Sequence, residues 1–301
     1  MRTLDVGLGV VTHLAFRPDG SLLAASGHRG IGLALWPALA GGRGPFDIVP
    51  VEERTAQVAW HPAGHLLASA GLDSGVVQVR DSRLKLRREL VGMTGQQGAT
   101  AAVAFSPDGA RLALGGGWWG EPASAVVVPV ARWKPARPVG EHANQIGALA
   151  FARPDMLLVG SADRTVVAYP LDANRDDSTT SVPSPVQALA LRPDGGQVAV
   201  AAGRHILLWT LDHDGRPVAD SGPSVRGHRR AVRAVAFAPG ARTLASAGED
   251  GTVRFWDPDT GAARSALDLG IGPLRTVAYS PDGLTVVAAG DAGVIAIVDA
   301  E

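Results

Sequence analysis

With 301 residues, 46% of them apolar and 19% charged, the chain has the composition of a globular protein with a strand-rich core and no disordered part. Lysine and arginine total 28 against 29 acidic residues, and a net charge of −1 gives no global electrostatic reason to expect nucleic acid or an anionic membrane as partner. The lack of cysteine excludes disulfides, thiolate metal sites and a cysteine nucleophile, and no run approaches the roughly 18 apolar residues of a membrane span, so a soluble, cytoplasmic protein is expected.

The first predicted element is a strand at Thr3-Leu4-Asp5-Val6-Gly7, which resembles Ala266-Leu267-Asp268-Leu269-Gly270. One pattern then recurs seven times: an aliphatic residue, alanine, a large anchor, a proline turn and an apolar run. The anchors are Phe16, Trp60, Phe105, Phe151, Leu191, Phe237 and Tyr279, spaced by 44, 45, 46, 40, 46 and 42 residues. Pro18-Asp19-Gly20, Pro107-Asp108-Gly109, Pro193-Asp194-Gly195 and Pro281-Asp282-Gly283 predict hairpins: proline presets φ, aspartate bonds its own backbone, and glycine supplies the reversing angle. Two more strands and a fourth, more polar one complete each unit.

Four short antiparallel strands cannot bury both faces alone, so each sheet must pack against copies of itself. A period of about 43 residues predicts an all-β, seven-bladed propeller with four antiparallel strands per blade, in a single domain over 1–301. The chain starts on a fourth strand and reaches its last third strand at Val298-Asp299, so residues 1–7 are expected to complete blade seven and close the ring.

Along the chain, Gly7-Leu8-Gly9 and Gly270-Ile271-Gly272 open like a dinucleotide fingerprint, but the third positions are Thr12 and Arg275, no helix follows, and no phosphate site is expected. His61 and His65 have a ligand spacing for a helix but bracket the Pro62 turn, which makes them surface histidines. Arg83-Leu84-Lys85-Leu86-Arg87-Arg88 alternates as an exposed outer strand should; a basic docking strip with Arg132, Lys134 and Arg137 is the lesser alternative. Inner-strand positions three before the anchors, His13, Gln57, Ala102, Ala148, Ala188, Ala234 and Thr276, make no metal cage. No catalytic residue, metal or cofactor is expected.

Unit six reads Gly227-His228, then AVRAVAFAPGARTLASAGEDGTVRFWD from Ala231 to Asp257, and this pattern resembles the WD-repeat family over essentially the whole chain. The resemblance implies a buried hydrogen-bond set of His228, Ser246, Asp250 and Trp256, scaffold rather than a catalytic triad. Unit four keeps His142 and Asp163 but has Val159 and Tyr169; unit two keeps Ser69 and Asp73 with Val79 in the tryptophan position.

In unit three, GGGWWGEP from Gly115 to Pro122 carries two adjacent tryptophans, and the strand pattern puts the tryptophan-equivalent position at Pro129, five residues late. The extra residues fall in the turn between second and third strands, which the resemblance places on a partner-binding rim. Trp118 and Trp119, on a loop expected to be mobile, are candidate anchors, joined by Glu121, His28, Arg29, Leu72, Arg164, Arg204, His205 and Glu249. The resulting expectation is a monomeric, non-enzymatic scaffold for protein or peptide partners, without nucleic acid or membrane; the alternative is an enzyme or small-molecule binder using the channel mouth, lined by Trp118, Trp119, His13 and Glu121.

Overall fold

The computed structural model describes residues 1–5, 9–28, 32–37, 47–49, 54–91, 99–134, 138–171 and 176–300. Among them run 28 strands, numbered β1 to β28 in chain order, which form seven four-stranded antiparallel sheets. Blade six shows the plan: β22 (Val232–Phe237), β23 (Leu244–Gly248), β24 (Thr252–Trp256) and β25 (Ala263–Asp268) lie side by side in sequence order. In blade seven, β26 (Leu274–Tyr279), β27 (Thr285–Gly290) and β28 (Val294–Asp299) are joined by β1 (Arg2–Asp5) from the other end of the chain, with Leu4 opposite Ile295 and Thr3 opposite Ala296. The ring of an all-β propeller is thereby closed; Val6 and Gly7 lie outside the described residues.

The turns follow from their residues. Gly20, Gly109, Gly195 and Gly283 all sit at φ between 71° and 74°, where a side chain is strained. The carboxylates of Asp19, Asp108, Asp194 and Asp282 accept the backbone N–H two residues on, at 2.9–3.0 Å. Apolar clusters then form between blades: Ala113 and Val127 of blade three pack with Ile146, Leu149, Phe151 and Tyr169 of blade four. Each large side chain so buried contributes roughly 1.5–3 kcal/mol, so the blades hold one another up.

Every inner strand carries a β-bulge near its start. In β22 the pairing passes from Val232 to Ala234, and in β2 (Val10–Phe16) from Val11 to His13, which leaves Arg233 and Thr12 as extra residues. Equivalent shifts skip Ala101, Gly147, Gln187 and Arg275, and in blade two Ala56 and Gln57. A bulge re-aims the extra side chain, here into the central channel.

Register corrects two sequence-based readings and burial a third. Leu67 pairs with Arg80, so Arg80 rather than Val79 holds the tryptophan position of unit two, because its turn is one residue longer than in unit six. Leu112 pairs with Val128, so that position in unit three is Val128 rather than Pro129 and lies four residues late, not five. His61 is no surface histidine: it is buried, its Nε2 lies 3.1 Å from the Gly109 carbonyl of the next blade, and its Nδ1 accepts the Ala63 N–H. Of the basic run, Leu84 turns inward at φ 60° and is buried, whereas β9 (Leu86–Leu90) is exposed up to Glu89.

Candidate functional site

Three places could carry chemistry: the buried set in blade six, the channel, and the rim with the tryptophans. In blade six, Trp256 Nε1–H donates to Ser246 Oγ at 2.8 Å, and Ser246 Oγ lies 2.7 Å from His228 Nε2. His228 Nδ1 lies 2.9 Å from Asp250, which also accepts the Arg229 N–H at 2.7 Å and the Thr252 hydroxyl. Burial holds the His228 imidazole neutral against the pull of Asp250. Burial works against the Asp250 charge too, but the bonds from His228, Arg229 N and Thr252 outweigh it and set its pKa at about 2. The neutral ring therefore donates from Nδ1 to the carboxylate and accepts the serine proton at Nε2.

Serine, histidine and aspartate here stand in the order of a hydrolase triad. Ser246 is wholly buried and one lone pair already takes the indole N–H, so no substrate can reach it. Blade four builds the same chain with one residue fewer. Tyr169 Oη lies 3.2 Å from His142 Nε2, and His142 Nδ1 lies 3.3 Å from Asp163. The phenol supplies both ring and hydroxyl, so Val159 in place of serine leaves nothing unsatisfied. Gly140, where a Cβ would stand 2.0 Å from the Tyr169 hydroxyl, opens the room for it. In blade two Asp73 is instead paired with exposed Arg54.

The channel encloses about 180 Å³ lined by the polar Thr12, His13, Gln57, Gln187, Arg233 and Arg275 and by Ala, Gly, Leu and Val positions of the inner strands. Gln187, Arg233 and Arg275 were missed from sequence because the bulge moves the channel-facing position to four before the anchor. Arg233 is bound by Gln187 at 2.6 Å and by Glu249, and Arg275 by Asp291. Gln57 accepts the Val103 N–H at 2.8 Å, which fixes its amide and makes its nitrogen the donor to His13 Nε2 at 3.3 Å. The His13 proton is then on Nδ1, a buried atom with no partner among the described residues. Burial lowers the His13 pKa to about 4. Among the described residues no His, Asp and Glu side chains group as metal ligands.

On the rim, the paired tryptophans sit between β11 (Arg111–Gly116) and β12 (Ala123–Pro129). Trp118 is 43% exposed and Trp119 64%. The glycines serve close approach rather than mobility. A Cβ on Gly116 would stand 1.8 Å from the Ala99 carbonyl, Gly117 N–H donates to that carbonyl at 2.8 Å, and Gly120 N–H donates to Asn144 Oδ1 at 2.8 Å. The loop is thus tied to its own blade and to the entry of the next. Glu121 is exposed beside it, and Arg164 and Arg204 are exposed on the turns of blades four and five. His28, Leu72 and His205 are half-buried. Glu249 is committed to Arg233, and Arg29 lies outside the described residues.

The family model for the WD domain, G-beta repeat matches residues 221–257, which run from the outer strand of blade five through the first three strands of blade six and include the four-residue set. The chain is a WD-repeat β-propeller. It is similar to the U3 small nucleolar RNA-associated protein 15 homolog of Xenopus tropicalis, 26% identical over 64% of this chain and 36% of the relative. It is also similar to the periodic tryptophan protein 2 of Arabidopsis thaliana, 32% identical over 39% of this chain and 13% of that protein. A third relative is the anaphase-promoting complex subunit cdc20 of Dictyostelium discoideum, 31% identical over 46% of this chain and 28% of that protein. The chain spans about a third of the length of the first of these. The cytoplasmic expectation is overturned by the Xenopus relatives, whose names tie them to small nucleolar RNA, and is withdrawn.

Proposed function

We propose that the chain is a non-enzymatic platform on which a protein or peptide partner docks, through the rim that carries Trp118 and Trp119. The carrying observation is the exposure of two adjacent indoles on a loop pinned by backbone hydrogen bonds. Exposed side by side they forfeit burial worth roughly 1.5–3 kcal/mol each, and tryptophan is enriched at binding hot spots. Glu121, Arg164, Arg204, His28, His205, Leu72 and Glu249 belong to the same rim, and Arg29 is assigned to it from sequence alone. Support for a scaffold also comes from relatives named as a complex subunit and as an RNA-associated protein. The propeller works as one domain and one copy. The test is affinity capture with immobilised wild type and Trp118→Ala/Trp119→Ala side by side: the reading expects a partner retained by the first and depleted at least tenfold on the second, and equal retention refutes it.

A second reading, a small-molecule site in the channel, is favoured by the buried His13 Nδ1–H, which an acceptor atom of a ligand would satisfy. The channel's room, about 180 Å³, suits a ligand of only a few heavy atoms.

A further inference from the structure

Charge is distributed unevenly around this rim. At the rim of blades seven and two the described arginines are paired, Arg275 with Asp291 and Arg54 with Asp73. On blades four to six, Arg164, Arg204, Arg226 and Arg229 are exposed, and the described residues offer none of them a carboxylate within ion-pair distance. The acids nearest in sequence are engaged elsewhere: Asp163 by His142, the Ala143 N–H and Thr165, Asp250 by His228 and the Arg229 N–H, and Glu249 by Arg233. Of the exposed acids, Glu121 and Glu141 stand at the blade-three end, beside the tryptophans, and Asp268 of blade six lines one pocket with Arg229 outside ion-pair distance of it.

The blade-five pair is held in place. Arg226 lies opposite His205 across the strand pair of β20 (His205–Thr210) and β21 (Ser224–Arg226), and its Nε–H donates to His205 Nδ1 at 3.2 Å. Burial, and then the Arg226 and Arg204 guanidiniums, push the His205 pKa down, which keeps the ring a neutral acceptor for that bond.

We infer that this sector receives an extended acidic segment of the partner protein, its carboxylates reaching Arg164, Arg204, Arg226 and Arg229 in turn and an apolar side chain meeting Trp118 and Trp119. The inference rests on the rim reading above and adds the chemistry of what docks there. Guanidinium forks match carboxylates. The arginines stand on three successive blades instead of converging, which fits several carboxylates spaced along a strand better than one phosphate group. A nucleic acid is disfavoured by the −1 net charge and by the carboxylates Glu121 and Glu141 at the tryptophan end.

The test is fluorescence anisotropy with a labelled ten-residue peptide of alternating Glu and Leu, its counterpart with Gln for Glu, and a ten-nucleotide oligouridine. The Glu peptide should bind, with affinity falling as salt rises, and the Gln peptide at least tenfold more weakly. Arg204→Gln/Arg226→Gln and Trp118→Ala/Trp119→Ala should each weaken the Glu peptide at least tenfold. Arg204→Lys/Arg226→Lys, which keeps the charge and loses the fork, should weaken the Glu peptide less than the Gln pair does and keep its salt dependence, and Arg88→Gln on the outer strand should leave the affinity unchanged. Absent Glu-peptide binding, equal binding of the Gln peptide, or tighter binding of oligouridine overturns the inference. Where the Trp118→Ala/Trp119→Ala variant still loses the captured partner, the rim reading survives that result. Peptide binding lost in Arg88→Gln and kept in both rim variants would instead refute the rim reading itself.

Discussion

At the scale of single residues, a hydroxyl facing the histidine Nε2 decides how blades four and six are held. In blade six Ser246 supplies it, in blade four the Tyr169 phenol does, and both rely on an aspartate to fix the histidine tautomer. Asp250→Ala removes that acceptor, leaving His228 Nδ1–H only the Thr252 hydroxyl at 3.3 Å and the Arg229 N–H no side-chain acceptor, so it should cost about 1–3 kcal/mol in urea unfolding. Asp73, with its side chain 42% exposed against 6% for Asp250, makes a surface pair with Arg54, and Asp73→Ala should cost under about 1 kcal/mol. Equal midpoints would refute the distinction. The blade-six residues were legible because they recur at fixed offsets from the anchor. Arg80 was not, since one added turn residue shifts the count, and neither was burial of His61, whose partner is a backbone carbonyl 48 residues away. No side-chain pattern encodes a carbonyl.

At the scale of elements, the ring depends on four residues from the far end of the chain. β1 pairs along all of its length with β28, so without it the third strand of blade seven becomes an open edge. Deleting residues 1–5 should lower Tm by about 2–3 °C, the shift that about 1–2 kcal/mol makes in a domain of this size, and should promote aggregation; an unchanged Tm would contradict the closure. This strand was readable because residues 3–7 echo residues 266–270. The bulges were not, because inserting one residue into a strand leaves the apolar pattern beyond it intact. That is why Gln187, Arg233 and Arg275 escaped notice while His13 and Gln57 did not.

At the scale of the whole molecule, burial is the first cause of a lowered pKa at His13, His28, His61, His142, His205 and His228. A folded-state pKa below the unfolded value of about 6.5 means the unfolded chain binds the proton more readily. Their contribution to stability is therefore complete above pH 6.5 and lost as pH falls toward their folded values, about 4 for His13. Asp250, at about 2, adds a further loss below about pH 3.8. Thermal melts should show Tm level from pH 8 to 7 and falling from pH 6.5 to 4; a level or rising Tm over that lower range would contradict the burial of these rings.

The same scale joins fold to function, since seven blades that pack on one another free a surface loop to present tryptophan to a partner. Its position between the second and third strands was legible from the length of unit three, and its tie to Asn144 was not, because that contact crosses between blades. The central claim is that Trp118 and Trp119 serve binding and not the fold. Urea unfolding of Trp118→Ala/Trp119→Ala against wild type tests it most directly: with both rings substantially exposed, the double substitution should change stability by no more than about 1 kcal/mol. A loss of about 3–5 kcal/mol, the cost of emptying the site of a single buried tryptophan, would make the loop a structural plug and contradict the claim.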